Sequence, residues 1–543
     1  MAVVSFDISD FEREGISLDE LNNIIPEIGM EVESISENEI RIDITPNRPD
    51  MLDFFGLVRA IKLKAVKEFP KKYSIKNPQL KEIYIDAKRR PYISALVVKN
   101  IDLSGNKLKY LINFTEKLGI TYGRKRQKLA IGIHDFDEIS GNLKYKDSQE
   151  GVIVPLIEFK AKTFKEILES HPNSKKFPEV VKAKKITFLS DAEKVIALIP
   201  IINSNKTKVT EDTKNLFVDI TGTEKSVVNS IANLLACSFA DQNCELFPCL
   251  LHYAKKEEIS PSLNYKKIKI KGKNTRKSIG FEINDREIIA SLNTMGYIAI
   301  VEGKGIAVSV PPYRTDVLNE QDVIEDVAIG YGYANINPKP IFSASNRVGA
   351  EDTVTKVVDN LSINMVGFGF SEAINNYLTN KQANFDNLLL TRPTDANVVS
   401  IAYSKTETLS MLRTSILPSL LQNLSASAHE PMPQRLFEVG GIFGVNENKA
   451  FEDLTLGFVS EHSKANFIEI KGYVERILQL LGYEYIFKES KNPSFIEGRY
   501  AEIIVDGEKI GEFGELHPQV LLNFKLEEPV AAAELRILKN VDY

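Results

Sequence analysis

The sequence predicts an α+β protein built from several domains, and three observations carry that prediction. The chain has 543 residues, more than one hydrophobic core organises, so about three to five domains are expected. Its apolar content of 43% and charged content of 26% are those of an ordinary globular protein. Strand-like runs and helix-like runs interleave along most of its length, which suits mixed layers.

The first unit is read over residues 1–90. In "SLDELNNIIPEIGMEVESI" the apolar residues Leu18, Leu21, Ile24 and Ile25 fall at helical spacing. "EIRIDI" alternates as a strand, with Ile40, Ile42 and Ile44 on one face. Pro46 and Pro49 then make a rigid turn in "TPNRPDMLDFFGLVRAIKLKAV", where Asp50 reads as a helix N-cap and Leu52, Phe55, Val58 and Ile61 as an apolar stripe. The charged, proline-bearing "KEFPKKYSIKNPQLKE" reads as a linker.

Residues 91–260 form a second unit. Strand-like runs such as "KLAIGIHDF", "KVIALIPIIN" and "NLFVDITGT" lie between helical stretches such as "LKYLINFTEKLGIT" and "EKSVVNSIANLLACSFAD". Residues 261–340 form a third. Its helix "NDREIIASLNTMGY" has Ile288, Leu292 and Met295 on one face and Gly296 as terminator, and a hairpin follows with "EGKG" as its turn. The last unit, 341–543, opens with the helix "TVTKVVDNLSINMVGFGF" and continues into strands such as "QRLFEVGGIFG" and "AEIIVDGEKIGEFGELHP".

Composition narrows the function. The net charge of −6, from 68 basic and 74 acidic residues, is not that of a protein dedicated to wrapping nucleic acid, so such contact would come from a local patch or a partner. Three cysteines, Cys237, Cys244 and Cys249, with only His252 nearby, make free thiols a better reading than zinc. There is no apolar run of about 18 residues, and "MAVVSFDISDFEREG" lacks the basic flank and apolar core of a secretory signal. A cytoplasmic protein with no membrane partner is expected.

Two stretches invite chemistry. In "YRTDVLNEQDVIEDVAIGYGY", a helix beginning near Glu320 places Asp322, Glu325 and Asp326 on one face, with Asp316 approaching from the loop. Spacing leaves two readings open: oxygen ligands for a hard cation, or an acidic first turn favoured by the helix dipole. In "PIINSNKTKVTEDTKNLFVDITGTEKSVVNSI", Asn203 and Ser204 follow an apolar strand, Asp219 ends the next strand-like run, and Thr221, Gly222 and Thr223 form a turn before a helix that can aim hydroxyls and N–H groups at an ester. The bland alternative is that Asn203 and Ser204 close a turn and Thr223 caps a helix. "GRKRQK" gathers Arg124, Arg126 and lysines, either for phosphates or as a solvated loop.

These stretches together resemble the β-subunit family of phenylalanine–tRNA ligase, in the archaeal and eukaryotic form, among the class II aminoacyl-tRNA synthetases. "TPNRPDMLDFFGLVRAI", the editing-like stretch, the acidic-helix stretch and "SILPSLLQNLSASAHEPMPQRLFEVGGIF" occur in the family's order over nearly the whole chain. The resemblance implies an N-terminal α/β domain (1–90), an editing-like B3/B4-type domain (91–260), a small winged-helix-like B5-type acidic-helix domain (261–340) and a degenerate class II synthetase-like antiparallel sheet (341–543). It implies Mg2+ at Asp316, Asp322, Glu325 and Asp326. It places hydrolysis of mischarged Tyr-tRNA(Phe) at Asn203, Ser204, Asp219, Thr221 and Thr223. The partners implied are an α subunit in an (αβ)2 heterotetramer and tRNA(Phe), with ATP a substrate of the complex and the synthetic site in α. Consistent with that, Arg435 lacks a second well-placed arginine after it, and alanines in "EEPVAAAELRIL" replace the glycines of a phosphate cradle. The alternatives are a non-editing scaffold that binds nucleic acid and a free-standing aminoacyl-tRNA deacylase.

Overall fold

The computed structural model describes residues 2–65, 68–177, 185–337, 349–394, 397–404, 406–447 and 449–539. Helices hold 33% and strands 32% of the chain, so the mixed α+β reading stands. The chain divides into two compact units, residues 1–340 and 341–543.

The first unit begins with strand β1 (Ala2–Asp7), helix α1 (Leu18–Glu27) and strands β2 (Glu31–Ile35) and β3 (Glu39–Ile44), in the sheet order β1-β3-β2. Ser17 starts α1 through a reciprocal cap: its hydroxyl accepts from the Glu20 N–H at 3.3 Å, and the Glu20 carboxylate accepts from the Ser17 N–H at 2.8 Å. Leu21, Ile24 and Ile25 face inward, as do Ile40, Ile42 and Ile44.

The proline turn differs from its expected role. Asp50 does not cap a helix. It sits inside a short 3-10 turn, Pro49–Leu52, and helix α2 starts only at Phe54 and runs to Ala65. Asp50 is buried, and its two oxygens accept Arg48 Nε and Nη2, each at 2.9 Å. Arg59 of α2 adds a third bond, Nη2 to Asp50 Oδ2 at 2.9 Å, and bonds Asp241 with its other nitrogen. Gly56 is glycine because a Cβ there would stand 1.9 Å from the Asp50 carbonyl oxygen. Two guanidiniums are a stronger demand on this carboxylate than one N-terminal helical turn.

The charged stretch read as a linker keeps most of its described side chains exposed but is pinned at two points. Tyr73 is buried and donates its hydroxyl to Asp241 Oδ1 at 2.7 Å, and Lys71 Nζ donates to the Ala240 carbonyl at 2.5 Å. Lys71 thereby sits at the C-terminus of a helix, where cations are favoured.

The middle of the unit is one large sheet. Its strands are β4 (Lys81–Asp86), β5 (Tyr92–Lys99), β6 (Leu129–Asp135), β7 (Leu143–Ser148), β8 (Ile186–Ser190), β9 (Val195–Ile199), β10 (Ile202–Asn203), β11 (Asn215–Gly222), β12 (Glu245–Tyr253) and β13 (Lys256–Ser260). They run in the order β10-β9-β8-β7-β4-β12-β5-β11-β6, with β13 on β12. Helices α3 (Lys107–Ile120) and α4 (Lys225–Asp241) cover one face, over Leu96, Val98, Leu216, Val218 and Ile220. The alternate residues Ala95, Val97 and Phe217 belong to a separate core on the other face. Cys237 and Cys249 are buried free thiols.

The unit closes with β14 (Lys266–Ile270), α5 (Gly272–Ile279), α6 (Asp285–Thr294), β15 (Ile298–Glu302), β16 (Gly305–Val310) and α7 (Glu320–Tyr331), the strands ordered β14-β16-β15. The "EGKG" turn joins β15 to β16, with Gly303 at φ 60°. Gly296 follows α6 at φ 88°, where a Cβ would meet the Tyr313 hydroxyl at 2.0 Å.

The second unit contains α8 (Thr353–Gly367), β17 (Ser371–Glu372), α9 (Leu417–Ala426), β18 (Gln434–Asn446), β19 (Lys449–Glu461), α10 (Phe467–Leu480), β20 (Tyr485–Glu489), β21 (Phe495–Val505), β22 (Glu508–Leu516), α11 (Pro518–Phe524) and β23 (Val530–Leu538). Its seven-stranded sheet runs β17-β18-β19-β23-β22-β21-β20, antiparallel except for the β17–β18 pair. α8 and α10 pack on Phe437, Leu456, Phe458, Ala531 and Ala533, while α9 and α11 pack on Val459 and Ala532. No helix among the described residues is long and apolar enough to cross a membrane.

Asp53, one turn beyond Asp50, gives a pH test. Its Oδ2 accepts the Ser238 hydroxyl at 2.7 Å and the Gly56 N–H at 3.1 Å. Burial nonetheless pushes its carboxyl up to about 6 from the ordinary 3.8. The folded state therefore holds this proton more tightly than the unfolded chain does, and Asp53 lowers stability as pH rises from about 4 through 6. Across that window the loss is about 3 kcal/mol. Asp50 runs the other way: despite its burial, Arg48 and Arg59 hold its carboxyl down at about 2. Its contribution is present above pH 4 and is lost as pH falls through about 2. Asp53→Asn should flatten the thermal midpoint of residues 1–340 between pH 4 and 6; an unchanged slope there would remove Asp53 as its source.

Candidate functional site

A cleft of about 670 Å3 opens beside the edge strand β6. Its floor is set by the pairing of β6 with β11, which puts Asp219 opposite Gly132 and Thr221 opposite Ala130. Its walls come from α3, the end of β9 and the segment from Ile201 to Val209. Apolar side chains line most of it, including Leu111, Ile131, Ile133 and Ile201, with a few polar groups among them, the usual make-up of a small-ligand site.

Three polar side chains on its floor are joined. Asp219 Oδ2 lies 3.1 Å from His134 Nε2, and His134 Nδ1 lies 2.7 Å from Thr207 Oγ1. All three are buried, yet Asp219 and Thr207 both reach the cleft. A carboxylate only accepts, so a neutral imidazole carries its proton on Nε2 and gives it to Asp219. Nδ1 then accepts the Thr207 hydroxyl proton. That leaves the cleft facing acceptor lone pairs on both Asp219 and Thr207. Gly132 makes the arrangement fit: a Cβ there would stand 2.1 Å from Asp219 Oδ2 and 3.0 Å from His134 Nε2.

The five residues singled out from the sequence separate. Asn203, Asp219 and Thr221 line the cleft. Asn203 Nδ2 donates to the Ile133 carbonyl at 3.3 Å, and Thr221 Oγ1 to the Ala130 carbonyl at 3.4 Å, so both brace β6. Ser204 is buried behind the wall; its hydroxyl donates to the Val154 carbonyl at 3.2 Å and accepts the Lys206 N–H at 3.2 Å. Thr223 is exposed, lines a second cleft, and does not cap α4, whose N-cap is Glu224. His134, Thr207 and Gly132 escaped the sequence reading. The available signal was a histidine on the same strand face as Ala130 and Gly132 in "LAIGIHD", a position where small neighbours leave room for a polar ring.

At the acidic helix, Asn319 caps α7, and Asp322 completes the cap by accepting the Leu318 and Asn319 N–H groups at 2.6 and 2.9 Å. Asp316 and Asp326 meet on Arg314. The guanidinium holds both oxygens of Asp316, at 2.9 and 2.7 Å, and Asp326 Oδ2 at 2.5 Å; Tyr297 also donates to Asp326. Glu325 is exposed at the rim, and its carboxyl is held above the usual range by partial desolvation, then by the Asp326 charge. The donors are all oxygens, the chemistry a hard divalent cation needs. Arg314 nonetheless stands among them as counter-ion, and no three ligand-type side chains among the described residues stand close enough to close on one metal.

In the second unit, the sheet face under α9 is filled. Arg413 is fully buried, pairs with Glu438 Oε1 at 2.6 Å, donates Nε to the Gly441 carbonyl at 2.9 Å and lies over Tyr377. Gly440 gives it room, since a Cβ there would come within 2.5 Å of Arg413 Nη2. Burial pushes the Glu534 carboxyl up to about 7. Arg435 lies within β18 and pairs with Glu469 at 3.2 Å. Ala531, Ala532 and Ala533 are all buried, packing against both faces.

Comparison with known proteins follows this division. Residues 85–240 match the B3/4 domain family, 268–333 the tRNA synthetase B5 domain, and 338–537 the phenylalanyl tRNA synthetase beta chain CLM domain. The chain is 34% identical to the phenylalanine–tRNA ligase beta subunit of Archaeoglobus fulgidus, over 98% of each chain. It is 36% identical to that of Methanococcus aeolicus, over 98% of this chain and 99% of the relative. A crystal structure of an N-terminal fragment of the phenylalanyl-tRNA synthetase beta subunit from Pyrococcus horikoshii superposes with a TM-score of 0.59 at 30% identity. It covers 61% of this chain and 100% of the fragment.

Proposed function

The chain belongs to the phenylalanine–tRNA ligase beta-subunit family, and on that premise we propose that it serves as the β chain of an (αβ)2 enzyme in the cytoplasm. With an α subunit that forms the aminoacyl bond from ATP, Phe and tRNA(Phe), this chain hydrolyses Tyr wrongly joined to tRNA(Phe). The joined Thr207–His134–Asp219 group in the apolar cleft is the observation that carries the reading.

The chemistry follows from the acceptors. The side chain of a mischarged tyrosine differs from phenylalanine by one hydroxyl. An apolar pocket rejects that hydroxyl poorly, whereas a buried acceptor that bonds it selects for it, because phenylalanine leaves the acceptor unpaired. Asp219, or Thr207 with its proton turned to His134, supplies such an acceptor. Water is the nucleophile in this reading. Its oxygen attacks the ester carbonyl, the ester C–O bond breaks, and the proton passes to the released ribose hydroxyl. Asn203 and Thr221 hold β6 and so fix the distance across the cleft.

The second unit is read as a degenerate class II synthetase sheet that packs against α. Arg413 with Glu438, and the buried alanines of β23, occupy the faces that an ATP site would leave open. α8 buries Leu361 and Met365 but exposes Ile363 (71%) and Val366 (58%), an apolar face suited to a partner chain. Mg2+ held by Asp316, Asp322, Glu325 and Asp326 belongs to the same reading. Its support is the all-oxygen character of these four side chains, two of which, Asp316 and Asp326, already share the guanidinium of Arg314. For Asp316 and Asp326 to ligate it, Arg314 must release them. An ion held by these carboxylates would neutralise their charge and so brace the module.

Three measurements test this. Asp219→Ala should slow Tyr-tRNA(Phe) hydrolysis about 10- to 100-fold while Phe activation by the complex stays intact; an unaltered deacylation rate removes Asp219 from the site. Ile363→Asp with Val366→Asp should sharply reduce recovery of α in a pull-down, and full recovery would place α elsewhere. Calorimetric titration with MgCl2 should show binding that is weakened by Asp322→Asn with Glu325→Gln. Equal heats before and after would leave these carboxylates as a helix cap and ion-pair network alone.

A further inference from the structure

A second cleft, of about 370 Å3, adjoins the first, and Arg126, Ile199 and Pro200 line both. Its polar lining is basic: Arg89, Arg90 and Arg126, with Gln127, Thr187 and Thr223. Among the described residues no carboxylate lines it. The nearby Asp147 accepts the backbone N–H groups of Lys88 and Arg89 and the Thr187 hydroxyl. Glu116 approaches Arg126 from α3 at 3.7 Å.

The loop that carries Arg126 is strained in a specific way. Arg124, Lys125 and Arg126 have φ of 46°, 55° and 63°, three consecutive non-glycine residues in the left-handed region. L side chains disfavour that conformation, and it persists only where surrounding bonds impose it. Here they do. Lys125 N–H donates to the Ile120 carbonyl at 2.9 Å, Arg126 N–H to that of Gly119 at 2.7 Å, and Lys128 N–H to that of Gly123 at 2.9 Å. A Cβ on Gly123 would stand 2.3 Å from the Gly119 oxygen, so the turn closes only around glycine. From the opposite side the buried Arg90 donates to the Arg126 carbonyl at 3.2 Å, the Gln127 carbonyl at 3.1 Å and the Thr221 carbonyl at 3.0 Å. One guanidinium thus ties the left-handed turn to the strand that carries Asp219. The result sets Arg126 between the two clefts and leaves Arg124 and Lys125 exposed beside them.

We propose that the second cleft binds a phosphodiester of the polynucleotide whose 3′ end enters the first cleft. The inference rests on the deacylase reading for what occupies the first cleft. Arg89 and Arg126 present planar donors of the kind that match phosphate oxygens, and Thr223 adds a hydroxyl. This gives a task to Thr223, which lines the second cleft and not the first.

The test reads binding without hydrolysis. Fluorescence anisotropy of the full-length chain with a tRNA(Phe) transcript bearing no amino acid is measured across a salt series. Arg89 is exposed and lines the second cleft but not the first, so its replacement spares the core; equal thermal midpoints check this. Arg89→Gln should weaken binding about 3- to 10-fold and reduce the slope of log K against log salt by about 0.7, the change for one phosphate on a single strand. Arg89→Lys, which keeps the charge, should retain most of the slope. In deacylation, KM should rise with kcat kept. Unchanged affinity and slope in Arg89→Gln would overturn the phosphate site, even if Tyr-tRNA(Phe) is cleaved. A chain that shows the phosphate-dependent slope yet cleaves no tyrosyl ester keeps this site and loses the deacylase reading.

Discussion

The first 340 residues depend on one buried carboxylate. Asp50 takes bidentate bonds from Arg48 and a further one from Arg59, and Arg59 reaches on to Asp241 at the end of α4 while its guanidinium lies 3.7 Å from the centre of the Tyr313 ring. The N-terminal module, the large sheet and the acidic-helix module therefore meet on one side chain. Burying such charges costs several kcal/mol of desolvation each, so the network contributes little net stability. What it fixes is direction: a guanidinium bonded on two sides accepts one orientation of its neighbours, and removing either partner leaves a charge stranded in the core. The glycines at 56 and 296 follow from the same constraint, since each stands where a Cβ would strike the group it faces.

The cleft is positioned by the sheet that this network supports. Asp219, Thr207 and His134 come from three separate segments: the register of β6 against β11 brings Asp219 to His134, and the turn after β10 brings Thr207 to the ring's other nitrogen. A shift of one residue would turn Asp219 into the helix-covered core, where Val218 and Ile220 now pack. Asn203 and Thr221 protect that register by bonding carbonyls of β6, an edge strand with one side unpaired. The strained turn at 124–126 is held by Arg90, just before β5, whose guanidinium also bonds the Thr221 carbonyl of β11, so the basic loop and the strand of the acidic floor are tied by one side chain.

In the second unit the same kinds of group are used to close a surface. Arg413 and Glu438 are an arginine and a carboxylate on a sheet face, yet they bond each other and the backbone at full burial. The small residues of β23 let helices approach from both sides, where open backbone would be needed to cradle phosphate. Apolar side chains left outside, such as Ile363, Val366 and Ile374, mark where this unit has more apolar surface than it covers itself.

What short-range physics controls is legible in the order of residues alone. The helix Leu18–Glu27, the alternating strand through Ile40, Ile42 and Ile44, the "EGKG" hairpin and the start of α7 at Glu320 follow from periodicity, caps and turn residues within a few positions of each other. The buried alanines of "VAAAEL" were legible for the same reason, because a side chain's size is local information. Asp50 reads as a cap because a cap is the local use of an aspartate after a proline turn. Only the tertiary structure could replace that role with Arg59 and, through it, Asp241, which lies 191 positions after Asp50 in the sequence. Tertiary structure likewise separated Ser204 and Thr223 from Asn203, Asp219 and Thr221, supplied His134 and Thr207, and gave Arg314 to Asp316 and Asp326. Except for Arg314 and Asp316, two positions apart, the deciding bonds join residues whose separation along the chain carries no periodic signal, so folding had to bring them together before their chemistry could be read.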